Sequence, residues 1–188
     1  MQWTVPGTVL VQPCEDAENL EAQFSAMFLG GGMMLSQVSA ITGLEPYAVQ
    51  NWVKRGFLSS PEKKRYSLRQ LCRILNINML RGALPMEDIC GLLGYINGQL
   101  NDESDDIIDD SRLYFMFVQL ASRHRRMNNP QGRDTILEEV LSRYDAPSAE
   151  ATRRVEKVLK VMLTAWAAAQ LRSTAETMLQ EINKEREL

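Results

Sequence analysis

Apolar residues recur along most of this chain at helical spacing, and the intervals are broken by glycine and proline where helices should stop. Residues 1–14 are the exception. They hold two prolines and alternating apolar positions, which predicts an extended or poorly ordered segment. From Glu15 to Leu29 the pattern is helical, with Leu20, Phe24, Met27 and Phe28 on one face and acids crowding the start, where the helix dipole favours them. Gly30-Gly31-Gly32 then reads as a joint. A phosphate loop is a poor fit there, because no strand precedes the glycines and no Gly-Lys-Ser/Thr follows.

The stretch Leu35–Leu58 predicts two short helices joined by a tight turn. Gly43 sits where the first must end, and Pro46 falls in the first turn of the second, where its missing N–H is no loss. In that second helix Val49, Trp52 and Val53 share one face. Tyr47, Gln50, Asn51 and Lys54 share the opposite one. Ser59 to Tyr66 is a short connector, hairpin-like or extended. Ser67 and Gln70 form a capping box, Tyr66 and Leu71 a hydrophobic staple, and a helix to about Arg81 buries Leu68, Leu71, Cys72, Leu75 and Met79. Gly82 ends it. Pro85 opens another, acidic in its first turn, with Ile89, Leu92, Leu93 and Ile96 inward.

Asn101–Asp110 holds six acids and reads as a solvated linker whose last aspartates cap a helix at Ser111; an internal acidic strip lying over a basic face is the other reading. The order of an EF-hand loop is absent. Ser111 to Met127 is a helix carrying Leu113, Phe117, Leu120 and Ala121, with His124 among arginines at its end. A loop at 128–132 leads to a short helix, Asp134 to Tyr144. Ser148 then caps a stretch from Ala149 to about Glu187 without Pro or Gly. Unbroken, that last helix would run roughly 55–60 Å, with a break near Ser173 as the alternative.

These patterns predict an all-α, mainly helical protein: an N-terminal extension with one helix over 1–32, a module over 33–98, an acidic linker over 99–110 and a helical domain over 111–188. Charge sharpens this division. Residues 33–98 carry eight Lys/Arg against four acids, whereas the remainder carries 13 against 20. Five of the eight bases lie between 54 and 65, as a localised polyanion contact requires. Three cysteines without metal spacing suggest no disulfide framework, and no metal or cofactor is expected. Neither a leader nor a membrane span is apparent, so a cytoplasmic protein is expected.

Read together, Leu35–Leu58, the Lys-Arg-Tyr-Ser at 64–67, the helix after it and the Leu-Pro-Met-Glu-Asp-Ile at 84–89 resemble the winged helix-turn-helix reader of MerR-type regulators. All four pieces occur in order, over about a third of the chain. More narrowly, the chain is similar to a group of uncharacterised bacterial proteins that carry this reader with a helical tail. The resemblance implies a homodimer paired through the C-terminal helix; a monomeric helical bundle is the alternative. Three departures stand out. Gln50 occupies a position where that family usually has an arginine, the connector is shorter than the usual wing, and Glu45 replaces the usual Ser/Thr/Asp cap.

Two functions follow. In the first, a transcriptional regulator lays helix 46–55 in the major groove of double-stranded DNA. Gln50 and Asn51 meet base edges beside Tyr47, while Lys54, Arg55, Lys63, Lys64 and Arg65 hold phosphates. In the second, the same fold is a scaffold whose basic face binds an acidic protein. An enzyme using Asp105, Asp106, Asp109 and Asp110 is disfavoured, because no base–nucleophile pair accompanies them. Tyr114, Phe115, Phe117 and Trp166 can line an effector pocket or fill core, and such aromatics more often fill core.

Overall fold

The computed structural model describes residues 2–98, 100, 106–127 and 133–186. The predicted loop at 128–132 and the acids at 102, 103 and 105 lie outside the described residues. The fold is mainly helical. A hairpin of β1 (Gln2–Thr4) and β2 (Val11–Pro13) leads through a 3₁₀ turn, Cys14–Glu18, into α1 (Leu20–Met27). Next come β3 (Met33–Met34), α2 (Leu35–Thr42), α3 (Pro46–Lys54), β4 (Arg65–Tyr66), α4 (Leu68–Leu80) and α5 (Met86–Asn97). The chain closes with α6 (Asp110–Met127), α7 (Arg133–Leu141) and α8 (Ala149–Arg186).

The helix that starts at Ser67 is the hub of this arrangement. Its capping box forms as the residue types demand: Gln70 N–H donates to Ser67 Oγ at 3.1 Å, and Ser67 N–H donates to Gln70 Oε1 at 2.9 Å. Beyond the cap, α4 is buried nearly all round rather than along one stripe. Ile74, Ile77, Leu80, Asn76 and even Arg73 join the predicted Leu71, Cys72, Leu75 and Met79 inside. Helices α2, α5, α6 and α8 all pack on it, and its pairing with α6 is the most extensive in the molecule. Helix α6 is likewise enclosed, from Leu113 through Val118. Each fully buried Leu, Ile or Phe contributes about 1.5–3 kcal/mol, so the α4–α6 pair is a large share of the hydrophobic core.

Residues 2–13 form the hairpin, and they contribute to the core. Trp3 is buried and meets the Trp166 ring edge-on at 6.4 Å, while Tyr114 Oη donates to the Pro6 carbonyl at 2.9 Å. At the hairpin tip Gly7 takes φ +76°, and a Cβ there would stand 2.4 Å from the Leu75 carbonyl oxygen of α4. Asn78 Nδ2 ties the same tip to α2 by donating to the Gly7 and Thr42 carbonyls at 2.8 and 3.0 Å. The predicted helix from Glu15 is split. Leu20 and Phe24 are buried as expected, whereas Met27 is 48% exposed, because the chain turns away after it toward β3.

The acidic segment caps the next helix as expected, Asp109 Oδ1 accepting from the Ser111 and Arg112 N–H groups at 2.7 and 3.3 Å, but over its described part it is not a solvated linker. Ile108 and Asp110 are buried, and Ile107 N–H donates to the Ile96 carbonyl at 2.8 Å, folding the segment back onto α5. Two apolar residues in the middle of the acids supply the anchoring. At the other end, α8 is continuous through Ser173, so no break occurs there. Its 38 residues span roughly 57 Å. Burial along it stops at Trp166, and everything from Gln170 to Arg186 is exposed. No helix among the described residues is long and apolar enough to cross a membrane.

Candidate nucleic-acid interface

Helix α2 ends as its sequence dictates. Gly43 adopts φ +69°, its N–H donates to the Ser39 carbonyl at 2.9 Å, and three residues later Pro46 starts α3. Val49 and Trp52 turn inward, so the opposite row of α3 is presented to solvent. Tyr47, Gln50, Asn51 and Lys54 are all exposed, Tyr47 at 72%. A row of one phenol, two amides and one ammonium on a helix only nine residues long is a compact donor–acceptor surface.

The short connector does form a hairpin, in miniature. Arg65 N–H donates to the Glu62 carbonyl at 2.8 Å across a turn whose two central residues are Lys63 and Lys64, at φ +48° and +64°. Two-residue turns with both central residues at positive φ match the twist of the flanking strands, but they favour Asn and Gly. Two lysines there store strain of about 1–2 kcal/mol each. The turn is seated by β4, which pairs antiparallel with β3 in the register Met33 with Tyr66 and Met34 with Arg65. Gly32 allows this close approach, since a Cβ on it would fall 2.6 Å from the Tyr66 carbonyl oxygen. The triple glycine therefore has a packing role besides that of a joint.

Gln50 of α3 and Lys64 of the turn line the same mostly apolar groove of ≈ 430 Å³, together with Leu35, Val53, Pro61 and Tyr66. The helix and the turn thus make one surface. The remaining cations are placed less uniformly. Lys54, Lys63 and Lys64 are exposed. Arg55 bonds Glu87 at 3.0 Å and lies over the Phe57 ring at 4.5 Å. Arg65 Nη1 donates to the Gly32 carbonyl at 2.8 Å, which fixes its guanidinium beside the turn while leaving the charge uncompensated by a carboxylate among the described residues.

Behind the turn lies a network in which the described aspartates of the acidic strip meet two arginines of α4, which the sequence did not single out. Arg69 of α4 pairs with Asp106 and approaches Asp109 and Asp110 at 3.5 and 3.8 Å. One turn along, Arg73 pairs with Asp110 at 3.3 Å and donates through Nε to the Phe57 carbonyl at 3.1 Å. Burial pushes the Asp110 carboxyl above the ordinary aspartate value, against the pull of both arginines. The arginines' own local trace is their i, i+4 spacing on a mainly apolar helix. Their partners lie 37 residues away.

The four aromatics weighed as a pocket are core: Tyr114, Phe115 and Phe117 are buried, and Phe117 meets Trp166 edge-on at 6.1 Å. Among the described residues no group of three or more His, Cys, Asp or Glu is gathered to hold a metal. Burial raises all three thiols, Cys72 most strongly.

Residues 33–117 match the family model described as a domain of unknown function (DUF1836), so the likeness to an uncharacterised family holds over that span. The chain is also similar to an uncharacterized protein, YkrK, of Bacillus subtilis (strain 168). The two are 22% identical over 160 residues, covering 79% of this chain and 69% of that one. No solved structure matches.

Proposed function

We propose that this protein is a DNA-binding transcriptional regulator of MerR-like type. In this reading α2, α3, the β3–β4 ladder with its lysine turn, and α4 form a winged helix-turn-helix. Helix α3 enters the major groove, where the amides of Gln50 and Asn51 suit adenine edges and Tyr47 packs beside them. Lys54, Arg55, Lys63, Lys64 and Arg65 hold the flanking phosphates. The observation that carries the reading is the shared surface of α3 and the turn, with Gln50 and Lys64 lining one groove. Strain held at two cationic residues supports it further, since strained backbone gathers at functional sites.

A homodimer belongs to this proposal. On the exposed half of α8, Leu171, Ala175, Met178 and Ile182 recur at alternating four- and three-residue steps, the spacing of a coiled-coil seam. A second copy would present two α3 helices to two half-sites. The test is selection of bound duplexes from a random pool at low salt. Enrichment of an inverted repeat is the expected outcome; a pool that stays random through successive rounds sinks the reading.

One observation favours a protein-binding scaffold instead. The groove between α3 and the turn is largely apolar, and Gln50 stands where a phosphate-binding arginine is usual in the resembling family. In that case a pull-down recovers one stoichiometric protein and no nucleic acid.

A further inference from the structure

We infer that the cavity behind the lysine turn is a binding site for the phosphoryl group of a small molecule. It has a volume of ≈ 470 Å³, within the range of small-ligand sites, and it opens between the turn and the first helical turn of α4. Lys63, Arg65, Arg69 and Arg73 all line it, together with the hydroxyl-bearing Ser59 and Ser67. The positive end of the thirteen-residue α4 lies at the same wall. Cations, hydroxyls and a helix N-terminus converging on one hollow are the donor set that phosphate oxygens require.

Arg73 distinguishes this hollow from a basic surface. Its side chain is 8% exposed, yet it reaches the cavity wall. Its Nε is engaged by the Phe57 carbonyl, and its Nη1 lies 3.3 and 3.5 Å from the two Asp110 oxygens, longer than a well-made charge-assisted bond. Its Nη2 has no acceptor among the described residues. A buried guanidinium held loosely by one carboxylate, with donor capacity to spare, is a group awaiting an anion. The phosphates of a rigid duplex can touch Lys63 at the rim, but a side chain this deep is reached only by a ligand small enough to enter. Glu62 and Asp110 sit at the same walls and set the affinity by opposing the ligand's charge.

The site stands or falls independently of DNA reading. The experiment is a calorimetric titration of the full chain with inorganic phosphate and with pyrophosphate, at ionic strength held constant by chloride. One saturable site is expected. The exposed pair Lys63→Ala with Arg65→Ala should weaken it about tenfold or more, as loss of charge-assisted bonds does. Glu62→Gln, also exposed, should tighten it about two- to threefold; a gain cannot come from damage to the fold. Absence of saturation with either probe, or an affinity that neither change moves, overturns the proposal. Repeating the titration with an excess of duplex separates the two phosphate sources. Unchanged pyrophosphate binding supports a small-molecule site, and one-for-one displacement by the duplex overturns it in favour of the DNA backbone. A protein that binds pyrophosphate but no duplex would retain this site and lose the proposed function.

Discussion

At the scale of single residues, the lysine turn separates folding from function most cleanly. Lys64 sits at φ +64°, a conformation that an L side chain adopts at a cost and glycine adopts freely. Lys64→Gly should therefore raise stability by about 1 kcal/mol in chemical unfolding. In the proposed regulator the same change should lower duplex affinity, because a phosphate contact is lost. A substitution that stabilises the fold while weakening binding would identify the strain as functional; a fall in stability would show that the lysine side chain supports the turn. Glu18 offers a second check at this scale. Arg123 donates to its carboxylate at 2.9 Å and holds its pKa below the ordinary glutamate value. A carboxylate so lowered contributes stability above its unfolded pKa and loses it as pH falls through the lowered value. Arg123→Ala should return the Glu18 titration, followed by NMR, to the ordinary range.

At the scale of elements, the N-terminal hairpin and α8 contrast. A two-stranded hairpin has little stability alone, yet β1–β2 is ordered because Trp3 packs on Trp166 of α8 and Gly7 sits against α4. Trp3→Ala should thus cost about 3–5 kcal/mol in equilibrium unfolding, as for a buried tryptophan; a cost near that of a surface change would show the hairpin to be dispensable. Helix α8 reverses the case. Its proximal half is buried through Trp166, whereas Leu171, Met178, Leu179 and Ile182 remain between 52% and 74% exposed. The apolar residues of this exposed half are the ones that the proposed homodimer would cover. Met178→Glu with Ile182→Glu should convert a dimer into a monomer in sedimentation equilibrium, leaving the helical signal of the body unchanged.

For the molecule as a whole, charge is divided between a turn that faces outward and a network that closes inward. Arg69 and Arg73 are engaged by the aspartates at 106, 109 and 110, whereas of the five cations assigned to DNA in the proposed regulator, those at 54, 55, 63, 64 and 65, only Arg55 has a carboxylate partner among the described residues, Glu87. Five phosphate contacts per protomer predict a slope of roughly −4 to −5 in log affinity against log salt. Fluorescence anisotropy across a chloride series measures it directly, and a slope near zero would exclude a backbone grip. The span matching the family of unknown function runs from 33 to 117, which includes both sides of the arginine–aspartate network and the first half of α6. The module is therefore better regarded with its α4–α6 packing than as three helices in isolation.

The residue pattern by itself determined the mainly helical class, the stop at Gly43, the start at Pro46, the cap at Ser67 and the outward row on α3. Each of these depends on neighbours within one or two helical turns, where side-chain and backbone chemistry act directly. The apolar periodicity also marked α4 and α6 as helices, though not as helices buried all round, because burial of a polar face depends on what arrives from elsewhere. Only the tertiary structure decided that Arg73 is enclosed, that Asp110 faces it, that Ile107 and Ile108 anchor an acidic segment and that Trp3 joins the core. Those outcomes rest on pairs separated by 11 residues for Ile107 and Ile96, by 37 for Arg73 and Asp110 and by far more for Trp3 and Trp166, whose meeting is set by how the helices pack. Local chemistry chose the elements, and long-range packing chose which of their charges stay in water.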